Sequence, residues 1–122
     1  MLEREIEKKV CDYAKSVGFL VYKFSSPNHA GVPDRLFLSP HQHAFWIEFK
    51  KEGGQPTPVQ LRECRKIRGC GFDVYLVDSV EGGMVVIDEQ MAIAVSKMEA
   101  YAIGKTMIDQ MEQEESTGET RH

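Results

Sequence analysis

The run Phe72-Asp73-Val74-Tyr75-Leu76-Val77 constrains the architecture more than any other stretch of this 122-residue chain. It is rich in β-branched and aromatic residues and reads as a strand. It follows a helical stretch, which itself follows a second strand-like run from Ala44 to Lys50. A strand, helix, strand succession is a right-handed crossover, so the two strands lie parallel in one sheet. The connecting helix opens at Thr57 or Pro58, after the loop Glu52 to Pro58. Its apolar side carries Val59, Leu61, Cys64 and Ile67 and its basic side Arg62, Arg65, Lys66 and Arg68, and Gly69 and Gly71 stop it.

Upstream, Ile6, Val10, Tyr13, Ala14 and Val17 recur at helical spacing over residues 2 to 17, and Gly18 ends that helix. Phe19 to Phe24 is a strand, SSPNHAGVP a loop, and Arg35 to Leu38 a third strand, joined to Ala44–Lys50 by the turn Ser39-Pro40-His41-Gln42-His43. The fold class is therefore α/β: helix, three strands, helix, strand, with a core over about residues 3–80. After a turn at Glu81-Gly82-Gly83, a helical region over about 88–111 carries Met91, Val95, Met98, Tyr101, Ala102, Ile108 and Met111 on one side. Residues 1–111 form one domain, and the polar stretch 112–122 is expected to be disordered.

The N-terminus lacks the apolar core of a signal peptide, and no apolar stretch approaches the roughly 20 residues of a membrane span. Cys11, Cys64 and Cys70 are odd in number and show no CxxC spacing, so reduced thiols in a cytoplasm are expected. The net charge of −4 is unevenly spread. Residues 1–70 hold 12 Lys and Arg against 8 Asp and Glu, whereas residues 71–122 hold 3 against 11. A basic working face is compatible with DNA, because the local field draws the phosphates.

Three charged residues stand where strands disfavour them: Asp34 at the mouth of one strand, Glu48 and Lys50 near the end of the next. Glu48 and Lys50 are two apart, so both leave the same face while Phe49 points to the other, and Asp34 can sit beside them. Two converging carboxylates make a hard-oxygen site suited to Mg²⁺ or Mn²⁺, completed by waters, a phosphate oxygen and the Phe49 carbonyl. A lysine beside that ion can orient the attacking water and stabilise charge on a phosphodiester undergoing hydrolysis. The bland alternative is a cross-strand ion pair on an exposed sheet.

Pro33-Asp34 followed by Glu48-Phe49-Lys50 resembles the PD-(D/E)xK motif of restriction-endonuclease-like nucleases. The wider string, Gly31-Val32-Pro33-Asp34, Ile47 to Lys50, Gly53-Gly54 and Gln60, resembles the virus-type replication-repair nuclease (VRR-NUC) family from about Glu3 to Val80. The resemblance implies a restriction-endonuclease-like core, here with an added C-terminal helical region, and a metal-dependent endonuclease. It assigns catalytic roles to Asp34, Glu48, Lys50, Gln60 and Glu3, with Asp34, Glu48, the Phe49 carbonyl and Glu3 around the metal. The family pattern of Glu, two residues, aliphatic, three residues, aliphatic fits Glu3, Ile6 and Val10. Glu7 is the alternative, at the spacing of archaeal junction resolvases.

By the same resemblance, the chain is expected to be encoded by a phage or prophage and to act in a bacterial cytoplasm. Its expected substrate is branched DNA such as a Holliday junction, cut by a homodimer. A DNA-binding or recombination module without the chemistry, or a restriction-type enzyme on linear duplex, are the rivals. His41 and His43 form an HxH in the turn, where exposed turn residues are the better reading than metal ligands. Asn28 and His29 precede the motif and can reach a phosphate or be plain loop. Trp46 shares the Glu48 face, where core packing is favoured over base stacking.

Overall fold

The computed structural model describes residues 1–39 and 42–118. The elements run α1 (Glu3–Ser16), β1 (Leu20–Lys23), β2 (Arg35–Ser39), β3 (His43–Phe49), α2 (Pro58–Gly69), β4 (Asp73–Val77) and α3 (Val80–Ser116). The four strands form one sheet in the order β1-β2-β3-β4. β1–β2 and β2–β3 are antiparallel and β3–β4 parallel, as the crossover requires. Expected and observed boundaries agree within two residues for the first six elements. No helix among the described residues is long and apolar enough to cross a membrane.

One face of the sheet is the core. Phe37, Phe45, Ile47, Phe49 and Val77 are buried there against Ile6, Val10 and Ala14 of α1, Phe19, and Ile87 of α3. The register sets Phe37 opposite Phe45, and their rings stack at 4.8 Å, while Phe19 meets Phe45 edge-on at 5.5 Å. The other face carries the even-numbered residues Leu36, Leu38, Ala44, Trp46 and Glu48, with α2 across part of it. Trp46 is half-buried and packs edge-on against Phe24 at 5.3 Å, the packing role expected of it.

The apolar side of α2 is not sealed: Val59 and Leu61 are 39% and 40% exposed, and the buried residue of the helix is Glu63. The helix covers that face incompletely and leaves an apolar groove between Leu36, Leu38, Trp46, Ile67 and Phe72. His43 is not an exposed turn residue; it opens β3 and is buried facing α3. Lys97 Nζ donates to His43 Nδ1 at 2.9 Å, and His43 Nε2 pairs with Gln90 Oε1. Gln90 Nε2 donates in turn to Asp73 and to the Tyr75 hydroxyl. These partners are more than 40 residues from His43 in the case of Gln90 and Lys97, so no local pattern could name them. His41 lies outside the described residues.

Glu81-Gly82-Gly83 is not a turn but the first turn of α3, capped by Ser79, whose hydroxyl accepts from Gly82 N–H at 3.0 Å. A Cβ on Gly83 would lie 2.4 Å from a Val10 methyl, so the glycine is there to let α1 and α3 meet closely. Finally, α3 is a single helix of 37 residues that runs to Ser116, past the expected end at 111. Residues 119–122 of the expected disordered tail lie outside the described residues.

Candidate active site

Asp34 directly precedes β2, and β2 and β3 pair Arg35 with Ile47. One step further along the antiparallel ladder, Asp34 stands across from Glu48 on the face away from the core. Two features fix the approach to Asp34. Gly31 adopts φ +89 and lies so close to Val59 of α2 that a Cβ would fall 2.7 Å from it. Phe24 N–H donates to the Asp34 carbonyl at 2.7 Å and ties the residue to the end of β1.

Glu48 lies at the end of β3 and Lys50 just past it, where β3 parts from β4, with Lys50 N–H still bonded to the Val77 carbonyl at 2.9 Å. The loop 51–57 then turns the chain so that α2 begins over them. Thr57 and Gln60 form a reciprocal cap: Gln60 N–H donates to Thr57 Oγ1 at 3.1 Å, and Thr57 N–H to Gln60 Oε1 at 2.9 Å. The same Gln60 Oε1 accepts from Lys50 Nζ at 2.8 Å, and Gln60 Nε2 donates to Glu48 Oε1 at 3.0 Å. Lys50 Nζ lies 3.6 Å from that same carboxylate oxygen.

The electrostatics of this corner are those of a site short of positive charge. Glu48 is buried and its carboxyl is pushed up to about 7, first by loss of water and then by Asp34, against the pull of Lys50. Asp34 is raised as well, by burial and then by Glu7. Its Oδ1 is buried and, among the described residues, has no hydrogen-bond partner. A cleft of about 340 Å³ opens beside Glu48, with Leu61, Leu76 and Val74 on its walls and Arg65 and Arg68 along it.

The structure brings Asp34, Glu48, Lys50 and Gln60 together, and treats the two glutamates of α1 differently. Glu7 is half-buried, ion-paired to Arg35 and close enough to raise Asp34. Glu3, one turn earlier, is exposed, and its charge adds a weaker push on Glu48. Among the described residues no three His, Cys, Asp or Glu side chains form a ready-made metal cluster. Donors for a cation at this corner are therefore two carboxylates and backbone oxygen, with water to fill the rest. An orphaned carboxylate oxygen beside a carboxyl whose affinity for a proton is raised by burial and by Asp34 fits a hard divalent cation.

The sequence reading gave no role to Glu63. It is buried on α2, 2.9 Å from His29 Nε2 and 3.0 Å from Lys66 Nζ, and so fastens the loop before Asp34 to the helix that carries Gln60. The signal available was its place three residues after Gln60, on the same side of the helix. His29 thus has a protein partner.

No family model matches the chain. Over 77 residues, 63% of this chain and 83% of the relative, it is 40% identical to "Putative nuclease p44" of Acyrthosiphon pisum secondary endosymbiont phage 1. A solved structure described as a VRR_NUC domain matches with a TM-score of 0.66 at 31% identity, covering 70% of this chain and 94% of that one.

Proposed function

Because this chain belongs to the VRR-NUC family of nucleases, we propose that it is a metal-dependent endonuclease of the PD-(D/E)xK type that cuts branched DNA. The substrate is a Holliday junction or a related branched form, and the cofactor is Mg²⁺ or Mn²⁺. The observation that carries this reading is the unpartnered, buried Asp34 Oδ1 beside the raised Glu48, with Lys50 and Gln60 closing the corner. Asp34, Glu48 and the Phe49 carbonyl would hold the ion, with Glu3 contributing through water. The ion supplies a Lewis acid for the phosphate and makes a bound water more acidic.

The remaining work falls to side chains. Gln60 holds the Lys50 ammonium beside the Glu48 carboxylate, which removes most of the lysine's freedom to swing into solvent. A lysine so held orients the attacking water and stabilises negative charge growing on the phosphate oxygens. Arg65 and Arg68 of α2 line the cleft beside Glu48 and offer phosphate contacts along the duplex. Cutting both strands of a junction requires two such sites, so the working form is a homodimer. The likeness to a phage protein supports a phage-encoded enzyme acting in the cytoplasm of a bacterial host.

The test is cleavage of labelled duplex, flap, splayed and four-way DNAs with Mg²⁺ or Mn²⁺. Four-way junctions should be cut in preference to linear duplex, and chelation should stop the reaction. Asp34→Asn or Glu48→Gln should remove most cleavage while folding and junction binding persist. Near-normal turnover by either variant would end the assignment, and equal cutting of linear duplex would favour a restriction-type enzyme.

A further inference from the structure

The buried residues of α3 are Gly83, Ile87, Gln90 and Ala94, all in its first half. Beyond Lys97 the same helix continues to Ser116. There Tyr101, Ile103, Met107, Ile108 and Met111 are 57 to 70% exposed. These are not scattered. Ala100, Ile103, Gly104, Met107, Ile108 and Met111 follow spacings of three, one, three, one and three, which draw a single stripe along a 3.6-residue helix. Thr106, Asp109 and Gln113 fall on the opposite side. A helix of on the order of 20 residues with an apolar stripe facing water is marginal on its own hydrogen bonds.

Gly83 and Gly104 of α3 make a contrast. Gly83 is accounted for by Val10, whereas a Cβ on Gly104 would meet nothing within 4 Å. Glycine weakens a helix interior, and among the described residues no close contact calls for one at 104. It lies on the apolar stripe, one turn after Ala100, and a hollow of about 350 Å³ is lined by Ala100, Tyr101, Gly104, Lys105 and Ile108. Small residues one turn apart let a second helix come close, and flexible methionines such as Met107 and Met111 fill such hollows.

Charge selects the partner and its direction. Within α3 from Lys97 onward the basic residues are Lys97 and Lys105, both near the body, whereas Asp109, Glu112, Glu114 and Glu115 crowd the far end of the helix. We propose that this arm pairs with the same arm of a second copy, antiparallel and crossing at Gly104. A parallel pair would stack the two acidic ends on each other. The antiparallel pair sets the acidic end of one arm beside Lys97 of the other. This deepens the homodimer reading above and rests on it for its biological purpose, but concerns a different surface from the cleavage site.

Two measurements on the full chain decide it. Light scattering at tens of micromolar should give about twice the single-chain mass of 13.9 kDa. Met107→Glu with Met111→Glu should return the mass to one chain, whereas Thr106→Glu with Gln113→Glu, on the polar side, should leave it at two. A wild-type chain that is monomeric overturns both this pairing and the homodimer reading. A dimer that survives the methionine changes, or that is lost equally in the polar-side changes, overturns the pairing alone.

Direction is read by cross-linking in a Cys64→Ser, Cys70→Ser background. Ala100→Cys protein mixed with Ile108→Cys protein should form a disulfide between the two variants and little within either. A disulfide of Ala100→Cys protein with itself would mean a parallel pair and overturn the proposal.

Discussion

Lys50 is held from two sides, by the Gln60 carbonyl oxygen at 2.8 Å and the Glu48 carboxylate at 3.6 Å. Neither contact is needed to keep a strand-end lysine in place, and solvent would satisfy its ammonium more easily. If its role is to stabilise charge on the phosphate, Lys50→Ala should slow cleavage by about 10²- to 10³-fold in kcat, the loss typical of one preorganised group. A change below about threefold, measured in single turnover, would return Lys50 to the solvated surface. Glu48 yields a prediction of its own. Its folded pKa of about 7 lies above the ordinary 4.5, so the metal-free protein holds the proton more tightly than the unfolded chain does. The contribution is fully present below pH 4.5 and is lost as pH rises through 7. In chelator, Glu48→Gln should therefore be the more stable protein at pH 8, by about 1–3 kcal/mol, and the advantage should vanish near pH 4. Denaturant melts at the two pH values read it directly.

At the scale of elements, α1 offers two carboxylates to one site. Glu7 is committed to Arg35, and removing its charge leaves that guanidinium unpaired in a half-buried position. Glu3 has no such structural duty and stands nearer Glu48 in its electrostatic effect. Glu3→Gln is expected to impair metal-dependent cleavage without altering thermal stability, and Glu7→Gln to lower stability. The reverse pattern in paired activity and melting measurements would give the metal role to Glu7. The contact between α1 and α3 is equally open to test. Gly83→Ala places a methyl 2.4 Å from Val10, and the two helices must part to admit it. A loss of about 1–3 kcal/mol is the usual cost of such overpacking, visible as a lower Tm. Val10→Ala in the same chain should recover part of it by making room.

For the molecule as a whole, what the sequence could reveal follows the range over which its signals act. The strands and the crossover were legible because alternation, caps and breakers are local, and Asp34, Glu48 and Lys50 stood out because strands reject such residues. The unsealed face of α2 was not legible, since Val59 and Leu61 look like core until the width of the sheet beneath them is known. His43 failed for a related reason: its polar partners come from α3, and a histidine in a turn looks the same whether or not a distant helix covers it. Gly82 and Gly83 were misread because glycine marks a turn far more often than a helix crossing.

Gln60 has a consequence for how the molecule loses activity. Its side-chain oxygen closes the first turn of α2 and in the same position anchors Lys50, so the helix end and the corner of the sheet share one polar atom. Fraying of that turn, the most transient opening a helix undergoes, would release the ammonium and the Glu48 partner together. Amide exchange at Gln60 and the rate of DNA cutting should then rise and fall inversely as denaturant is added, well before the fold melts.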